Sequence, residues 1–113
     1  MQVFKFGGAS IRNTEAIKNM AEIIVKYGAK PLVVVVSAMG KTTRALEDYV
    51  AARFDNEDGE DQLDLVKGYH AKLLVELFSK ADPVHEQVET MLNELHAVPV
   101  SKNEFAKYYD SVV

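Results

Sequence analysis

The chain has 113 residues, of which 48% are hydrophobic and 27% charged, a composition typical of one globular domain with a modest core. Thirteen Lys and Arg against seventeen Asp and Glu give a net charge of -4, and the scattered basic residues disfavour a nucleic-acid partner. The lack of cysteine excludes disulfides, thiol chemistry and Cys-based zinc sites. Neither a secretory signal nor a membrane-length apolar run is visible, so we expect a cytoplasmic protein without a membrane partner.

The first third of the chain has the pattern of a strand, helix, strand unit. A β-favouring segment at residues 3–6 ends at a pair of glycines, and Leu32–Val36 is a continuous run typical of a strand buried in a parallel sheet. Between them, apolar residues at helical spacing extend from a predicted cap at Thr14 to a stop at Gly28. We therefore predict an α/β fold with two neighbouring parallel strands joined by a helix.

The remainder of the chain is predicted to be mostly helical. A helix follows the second strand, an acidic stretch forms an exposed loop, and the last helix opens with the capping box Ser101-x-x-Glu104. Asp82 followed by Pro83 marks the start of the helix before it. The predicted core-facing residues of these helices are Leu46, Tyr49, Val50, Phe54, Leu63, Val66, His70, Leu73, Leu74, Leu77, Val84, Val88, Met91, Leu92, Leu95, Phe105, Tyr108, Tyr109 and Val112.

We therefore predict that residues 1–113 form a single segment of one domain, without internal repeats. Its parts are a βαβα core at 1–54, an acidic loop at 55–61 and a helical region at 62–113. The acidic loop lacks the alternation of a calcium-binding loop, so a solvated surface is the better interpretation. His85 and Glu89 are four residues apart on one helix but have no third ligand nearby in sequence, and we predict no metal site.

The first candidate site is the turn after the first strand. Lys5 lies at the strand end, and Gly7 and Gly8 allow backbone N–H groups to approach phosphate oxygens closely. A lysine there supplies a compact positive charge for phosphoryl oxygens. The spacing alone is equally compatible with a tight turn beside an ordinary surface lysine.

The second candidate site is the turn after the second strand. Because both turns follow parallel strands, we expect them at the same edge of the sheet, where open α/β sheets bind ligands. The amide of Gly40 and nearby hydroxyls could receive a carboxylate or a phosphate, although helix capping is an equal alternative for each hydroxyl. The hydroxyls are those of Ser37, Thr42 and Thr43.

Two common nucleotide-binding motifs are excluded. Gly40-Lys41-Thr42 imitates the end of a P-loop, but Val35 stands where that motif requires a glycine. The first turn has two adjacent glycines and no third, so it is not a dinucleotide-binding fingerprint.

Two blocks of sequence together carry a specific resemblance. Residues 5–11 read Lys-Phe-Gly-Gly-Ala-Ser-Ile and residues 34–43 read Val-Val-Val-Ser-Ala-Met-Gly-Lys-Thr-Thr. Both resemble signature blocks of the aspartate kinases of the amino-acid kinase family, in the same order and at a similar separation. In the first block Ala9 replaces the more frequent threonine. The resemblance implies the N-terminal part of an amino-acid kinase fold, with the helical region forming a lid.

The resemblance also implies a reaction, the transfer of the γ-phosphoryl group of Mg-ATP to the side-chain carboxylate of L-aspartate. This reaction is the committed step towards lysine, threonine and methionine. Lys5 would be the catalytic residue that stabilises the transferring group. The residues implied to bind ATP are Lys5, Phe6, Gly7, Gly8 and Ser10. The residues implied on the aspartate side are Ser37, Thr42 and Thr43.

Further elements of the family's site, which hold the aspartate amine, the metal and the nucleotide base, have no counterpart in this sequence. Because phosphoryl transfer depends on positioning and charge, we expect the isolated chain to be inactive. An incomplete sheet leaves a bare edge, and we expect a homo-oligomer. The alternative function is a non-catalytic helical interaction module that retains phosphate-binding turns.

Overall fold

The computed structural model describes residues 1–113 and contains two strands and five α-helices. In chain order they are β1 (Gln2–Phe6), α1 (Thr14–Tyr27), β2 (Leu32–Val36), α2 (Thr42–Phe54), α3 (Glu60–Leu77), α4 (Val84–Asn93) and α5 (Phe105–Val112). Short 3-10 helices follow β1 at Gly8–Ile11 and α4 at Glu94–Ala97. This order confirms the predicted α/β class, in which a short parallel unit precedes a mostly helical region. None of the helices has the length and apolar character needed to span a membrane.

The chain forms two compact units, Met1–Thr42 and Thr43–Val113. The first unit contains β1, α1 and β2, and its buried side chains are Phe6 and Ile11. The second unit contains the helices from α2 onward. Its central cluster consists of Tyr49, Val50, Leu63, Tyr108 and Val112. The finer division at 54 and 61 stays a prediction of the sequence.

The two strands pair in parallel, as predicted, over their full length. The register runs from Gln2 opposite Leu32 to Phe6 opposite Val36. Side chains alternate along β1, so Phe4 and Phe6 share one face and their rings meet edge to face at 6.4 Å. The opposite face carries Lys5 at the carboxyl end of the strand.

The prediction that β2 is buried is wrong for this chain. The four valines of β2 are between 38% and 53% exposed. The sheet has only two strands, and the first unit contains a single helix of more than one turn, so the strands have too few neighbours to cover them. The run of valines therefore predicts the strand correctly but not its burial.

Helix α1 begins one residue earlier than the sequence suggested. The side chain of Asn13, not that of Thr14, is the cap, because its Oδ1 accepts a hydrogen bond from the N–H of Ala16 at 2.9 Å. The predicted stop is confirmed, since the N–H of Gly28 donates to the carbonyl of Ile24 and ends the helix.

The starts of two later helices test the predicted caps. Asp82 is confirmed as a capping side chain, because its Oδ1 accepts a hydrogen bond from the N–H of Val84 at 2.9 Å. Pro83 precedes the first helical residue, Val84, instead of lying in the first turn. The capping box at Ser101 and Glu104 is wrong. The N–H of Glu104 donates to the carbonyl of Ser101 at 2.9 Å, and α5 begins at Phe105 without a side-chain cap.

Most predicted core-facing residues of the helices are buried or half-buried in the second unit. The prediction is wrong for two residues, because Met91 is 67% exposed and Phe105 is 45% exposed. Helix α3 also starts inside the stretch expected to be a loop, since Glu60 and Asp61 form its first turn. Acidic residues there interact favourably with the positive end of the helix dipole.

Candidate functional site

The two glycine-containing turns lie next to each other at the carboxyl edge of the sheet. The N–H of Ser37 donates a hydrogen bond to the carbonyl of Phe6 at 3.1 Å, which extends the pairing of β1 and β2 into both turns. A Cβ atom placed on Gly8 would lie 3.8 Å from the carbonyl oxygen of Ala38. The residues that follow the two strands are therefore within contact distance of one another.

The first turn leaves backbone donors and open space where a phosphate could bind. Gly7 is extended, and the first hydrogen bond of the 3-10 helix runs from the N–H of Ser10 to the carbonyl of Gly7 at 3.0 Å. The N–H groups of Gly8 and Ala9 precede that bond and have no partner within the helix. A Cβ on Gly7 would meet no atom within 4 Å, so a ligand can approach the backbone there.

Lys5 and Phe6 point to opposite faces of the sheet. Lys5 is exposed and takes part in no salt bridge, so its ammonium group is available to an anion. Phe6 is buried, and its carbonyl accepts the hydrogen bond from Ser37. The side chain of Phe6 thus anchors the end of β1, and its contact with ATP stays a prediction.

The second turn has a glycine in a left-handed conformation. Gly40 has a φ of 56°, which favours glycine because a Cβ would be strained there. The N–H and the hydroxyl of Thr42 both donate to the carbonyl of Met39, at 3.1 and 2.6 Å. Ser37 is exposed, so a ligand can reach its hydroxyl. Thr43 opens the second unit, and its contact with aspartate stays a prediction.

The carbonyl of Met39 is the functional group that sequence reasoning missed. The residue type of Met39 does not predict this role, because only its backbone carbonyl takes part in the hydrogen bonds. The available signal was Thr42, since Ser and Thr at a turn or helix start often bond to backbone groups three or four residues away.

The sequence stretches that contain the two turns carry basic but no acidic side chains. No Asp or Glu occurs in residues 1–14 or 23–46, although the chain has seventeen in all. Lys5 and Lys41 therefore have no acidic neighbour within these stretches of the chain. The same composition leaves no carboxylate to bind Mg²⁺ at these turns, so the residues fit the phosphates of ATP and not a separate metal ion.

Two histidines of the second unit line a groove and lie close to backbone carbonyls. A groove of about 300 Å³ between α3 and α4 is lined by Lys67, His70, His85 and Glu89 together with apolar residues. One nitrogen of each histidine is within hydrogen-bonding distance of a backbone carbonyl, Val66 at 2.8 Å and Ser79 at 2.9 Å. No three acidic, histidine or cysteine side chains are close enough together to hold a metal.

The fold is α/β, and its two glycine-containing turns lie at the carboxyl edge of the parallel sheet, where open α/β sheets bind ligands. The sequence profile described as Amino acid kinase family matches residues 1–106. The chain belongs to this family.

Its curated relatives are named as aspartokinases. Aspartokinase 2, chloroplastic, of Arabidopsis thaliana is 30% identical over 104 residues, which is 88% of this chain and 19% of the relative. Aspartokinase 1, chloroplastic, of the same plant is 35% identical over 97 residues, or 82% and 16%. The aspartokinase of Corynebacterium efficiens is 50% identical over 52 residues, or 44% and 12%. The chain thus spans about a fifth or less of these relatives.

Proposed function

We propose that this chain supplies the ATP-phosphate site and part of the aspartate site of an aspartate kinase. In that reaction an oxygen of the aspartate side-chain carboxylate bonds to the γ-phosphorus, and the bond from that phosphorus to the departing ADP oxygen breaks. The acceptor is L-aspartate and the donor is ATP as its Mg²⁺ complex. The product is an acyl phosphate, and the implied role is the biosynthesis of lysine, threonine and methionine.

The observation that carries the proposal is the contact between the two turns. The bond from Ser37 N–H to the Phe6 carbonyl brings the end of β1 beside the end of β2. Lys5 then supplies a positive charge, while Gly7 and Gly8 supply a backbone that phosphate oxygens can reach. Ser10 follows on the same turn, and Ser37 offers an exposed hydroxyl on the adjacent one. Preorganised donors of this kind stabilise the charge of the transferring phosphoryl group.

Nucleotide binding by the chain itself can be measured by NMR. We expect Mg-ATP, but not adenosine, to shift the amide signals of Gly7, Gly8 and Ser10, because the triphosphate is the group recognised. Lys5→Met should abolish these shifts, whereas Lys18→Met on α1 removes the same charge elsewhere and should preserve them. Equal shifts with adenosine, or unchanged shifts in Lys5→Met, would contradict the proposed phosphate site.

Catalysis can be measured as ADP release from Mg-ATP in the presence of aspartate. We expect no release by the isolated chain above background. Aspartate-dependent release by the chain alone would show that the expected inactivity is wrong.

The catalytic role of Lys5 needs a complete active site. The matching segment of the Corynebacterium efficiens aspartokinase can be replaced by that of this chain, and ADP release compared with the parent enzyme. We expect an active hybrid in which Lys5→Ala lowers turnover at least about a hundredfold, the cost of one preorganised charge. Near-normal turnover in that variant would remove Lys5 from the mechanism. A folded but inactive hybrid would favour the non-catalytic helical module.

A further inference from the structure

The segment Met39 to Thr42 is a tight turn with a defined geometry. The carbonyl of Met39 accepts the N–H of Thr42 at 3.1 Å, which closes a four-residue turn. Gly40, the first central residue, has a φ of 56°, and Lys41 has no positive φ. A positive φ at this position strongly favours glycine.

The hydroxyl of Thr42 supplies a second bond to the same acceptor. Its Oγ1 is 2.6 Å from the carbonyl oxygen of Met39, a short distance for an O–H donor. Thr42 is half-buried, so water competes for this bond less than at an exposed residue. Both donors of Thr42, the amide and the hydroxyl, are therefore directed at Met39.

This geometry restricts what the hydroxyl can do for a ligand. A threonine hydroxyl has one proton to donate, and ionised carboxylates and phosphates only accept hydrogen bonds. While the proton is donated to Met39, Thr42 has none to offer to such an anion. Ser37 is in a different situation, because its side chain is exposed and can be reached by a ligand.

We propose that Thr42 is a positioning residue, whose hydroxyl holds the Met39 to Thr42 turn instead of contacting the anionic ligand. This assignment refines the proposed function, on which the identity of the ligand rests. The role of the hydroxyl in the turn does not depend on that ligand. Within the first unit, the anion contact of the second turn then falls to Ser37 and to backbone N–H groups.

The test compares two substitutions in the ligand-free 113-residue chain. Thr42→Val keeps the shape of the side chain but removes the hydroxyl, and Thr42→Ser keeps the hydroxyl. We expect Thr42→Val to shift the amide signals of Met39, Gly40 and Lys41 and to speed hydrogen exchange of the residue 42 amide roughly fivefold. Thr42→Ser should restore the native values. Thr90→Val, an exposed threonine-to-valine change on α4, is the matched control and should leave the turn unchanged.

A direct ligand contact predicts a different result. In that case Thr42→Val would leave the ligand-free turn unchanged. It would only reduce the Mg-ATP shifts or raise the hybrid's KM for aspartate, and the positioning role would be wrong. Failure of the proposed function looks different again, because no variant would then show Mg-ATP shifts at Gly7 and Gly8. The amide signals and hydrogen exchange of the ligand-free chain would still show whether the Thr42 hydroxyl holds the turn. Native signals from α3 and α4 identify variants that fold normally.

Discussion

Two glycines of the second unit occupy sites with opposite steric properties. Gly59 has a φ of 70°, and a Cβ there would lie 2.6 and 2.8 Å from ring carbons of Tyr49. That ring is fully buried and cannot move aside. Gly68 lies inside α3, and a Cβ on it would meet no atom within 4 Å. The same substitution should therefore have opposite effects at the two positions.

We expect Gly59→Ala to lower the free energy of unfolding by about 2 to 4 kcal/mol, from left-handed backbone strain together with overpacking. Gly68→Ala should raise it by about 0.5 to 1 kcal/mol, because alanine is the better residue in a helix interior. Urea denaturation followed by circular dichroism measures both. Equal effects of the two changes would show that Gly59 does not pack against Tyr49 as described.

Tyr49 should also make the stability of the second unit sensitive to high pH. Its hydroxyl is 3.4 Å from the Leu95 carbonyl and 3.2 Å from Nδ1 of His96. Burial, reinforced by the neighbouring Tyr108, raises the pKa of Tyr49 from 10.0 to about 12. Since the folded protein holds this proton more tightly than the unfolded chain, the stabilisation is complete below pH 10 and is lost as pH rises towards 12.

The measurement is the free energy of unfolding at several pH values between 9 and 12. Tyr49 should contribute a decrease of at most about 1.4 kcal/mol per pH unit, the limit for one proton. A hydrogen bond to Glu47 also raises the pKa of Tyr109, so that residue contributes in the same direction. Comparing Tyr49→Phe and Tyr109→Phe with the native chain separates the contributions of the two tyrosines to the pH dependence of the unfolding free energy. If the unfolding free energy of Tyr49→Phe changed with pH as in the native chain, Tyr49 would not be a source of the pH dependence.

At the scale of elements, the sequence predicts which helices and strands exist better than where they begin. Apolar periodicity extends over a whole element, so one atypical residue does not obscure it. A cap depends on a single side-chain geometry. Asn13 and Thr14 are both good capping residues, and the structure uses the first of them. Ser101 and Glu104 have the spacing of a capping box, yet the helix starts after them.

The same contrast applies to the candidate site. The parallel pairing of two strands that end in glycine-containing turns was predictable, because it follows from the pattern of apolar residues and breakers. The bond between Thr42 and Met39 was not, because one hydroxyl can cap a helix, bond to a carbonyl or contact a ligand with the same sequence signal. Choosing among these uses needs the φ of Gly40 and the position of the Met39 carbonyl.

At the scale of the whole molecule, a bare sheet edge was expected from the sequence, but the exposure of the β2 valines was not. Periodicity shows that a strand is apolar on both faces, but burial depends on how many neighbouring elements are present. Each strand of a two-stranded sheet has one edge without a partner. The exposed edge of β2 is apolar, uncharged and free of proline, which are the properties of a segment prone to pair with another chain.

We expect the chain to self-associate through β2 at micromolar to millimolar concentrations, because pairing would satisfy unpaired backbone groups and cover the valines. Val33→Lys places a charge on the exposed strand and should shift the chain towards monomer in sedimentation velocity. Val25→Lys makes the same change on helix α1, at a valine that is 85% exposed, and should behave like the native chain. If the native chain stayed monomeric throughout this range, or if both variants dissociated equally, association would not proceed through β2.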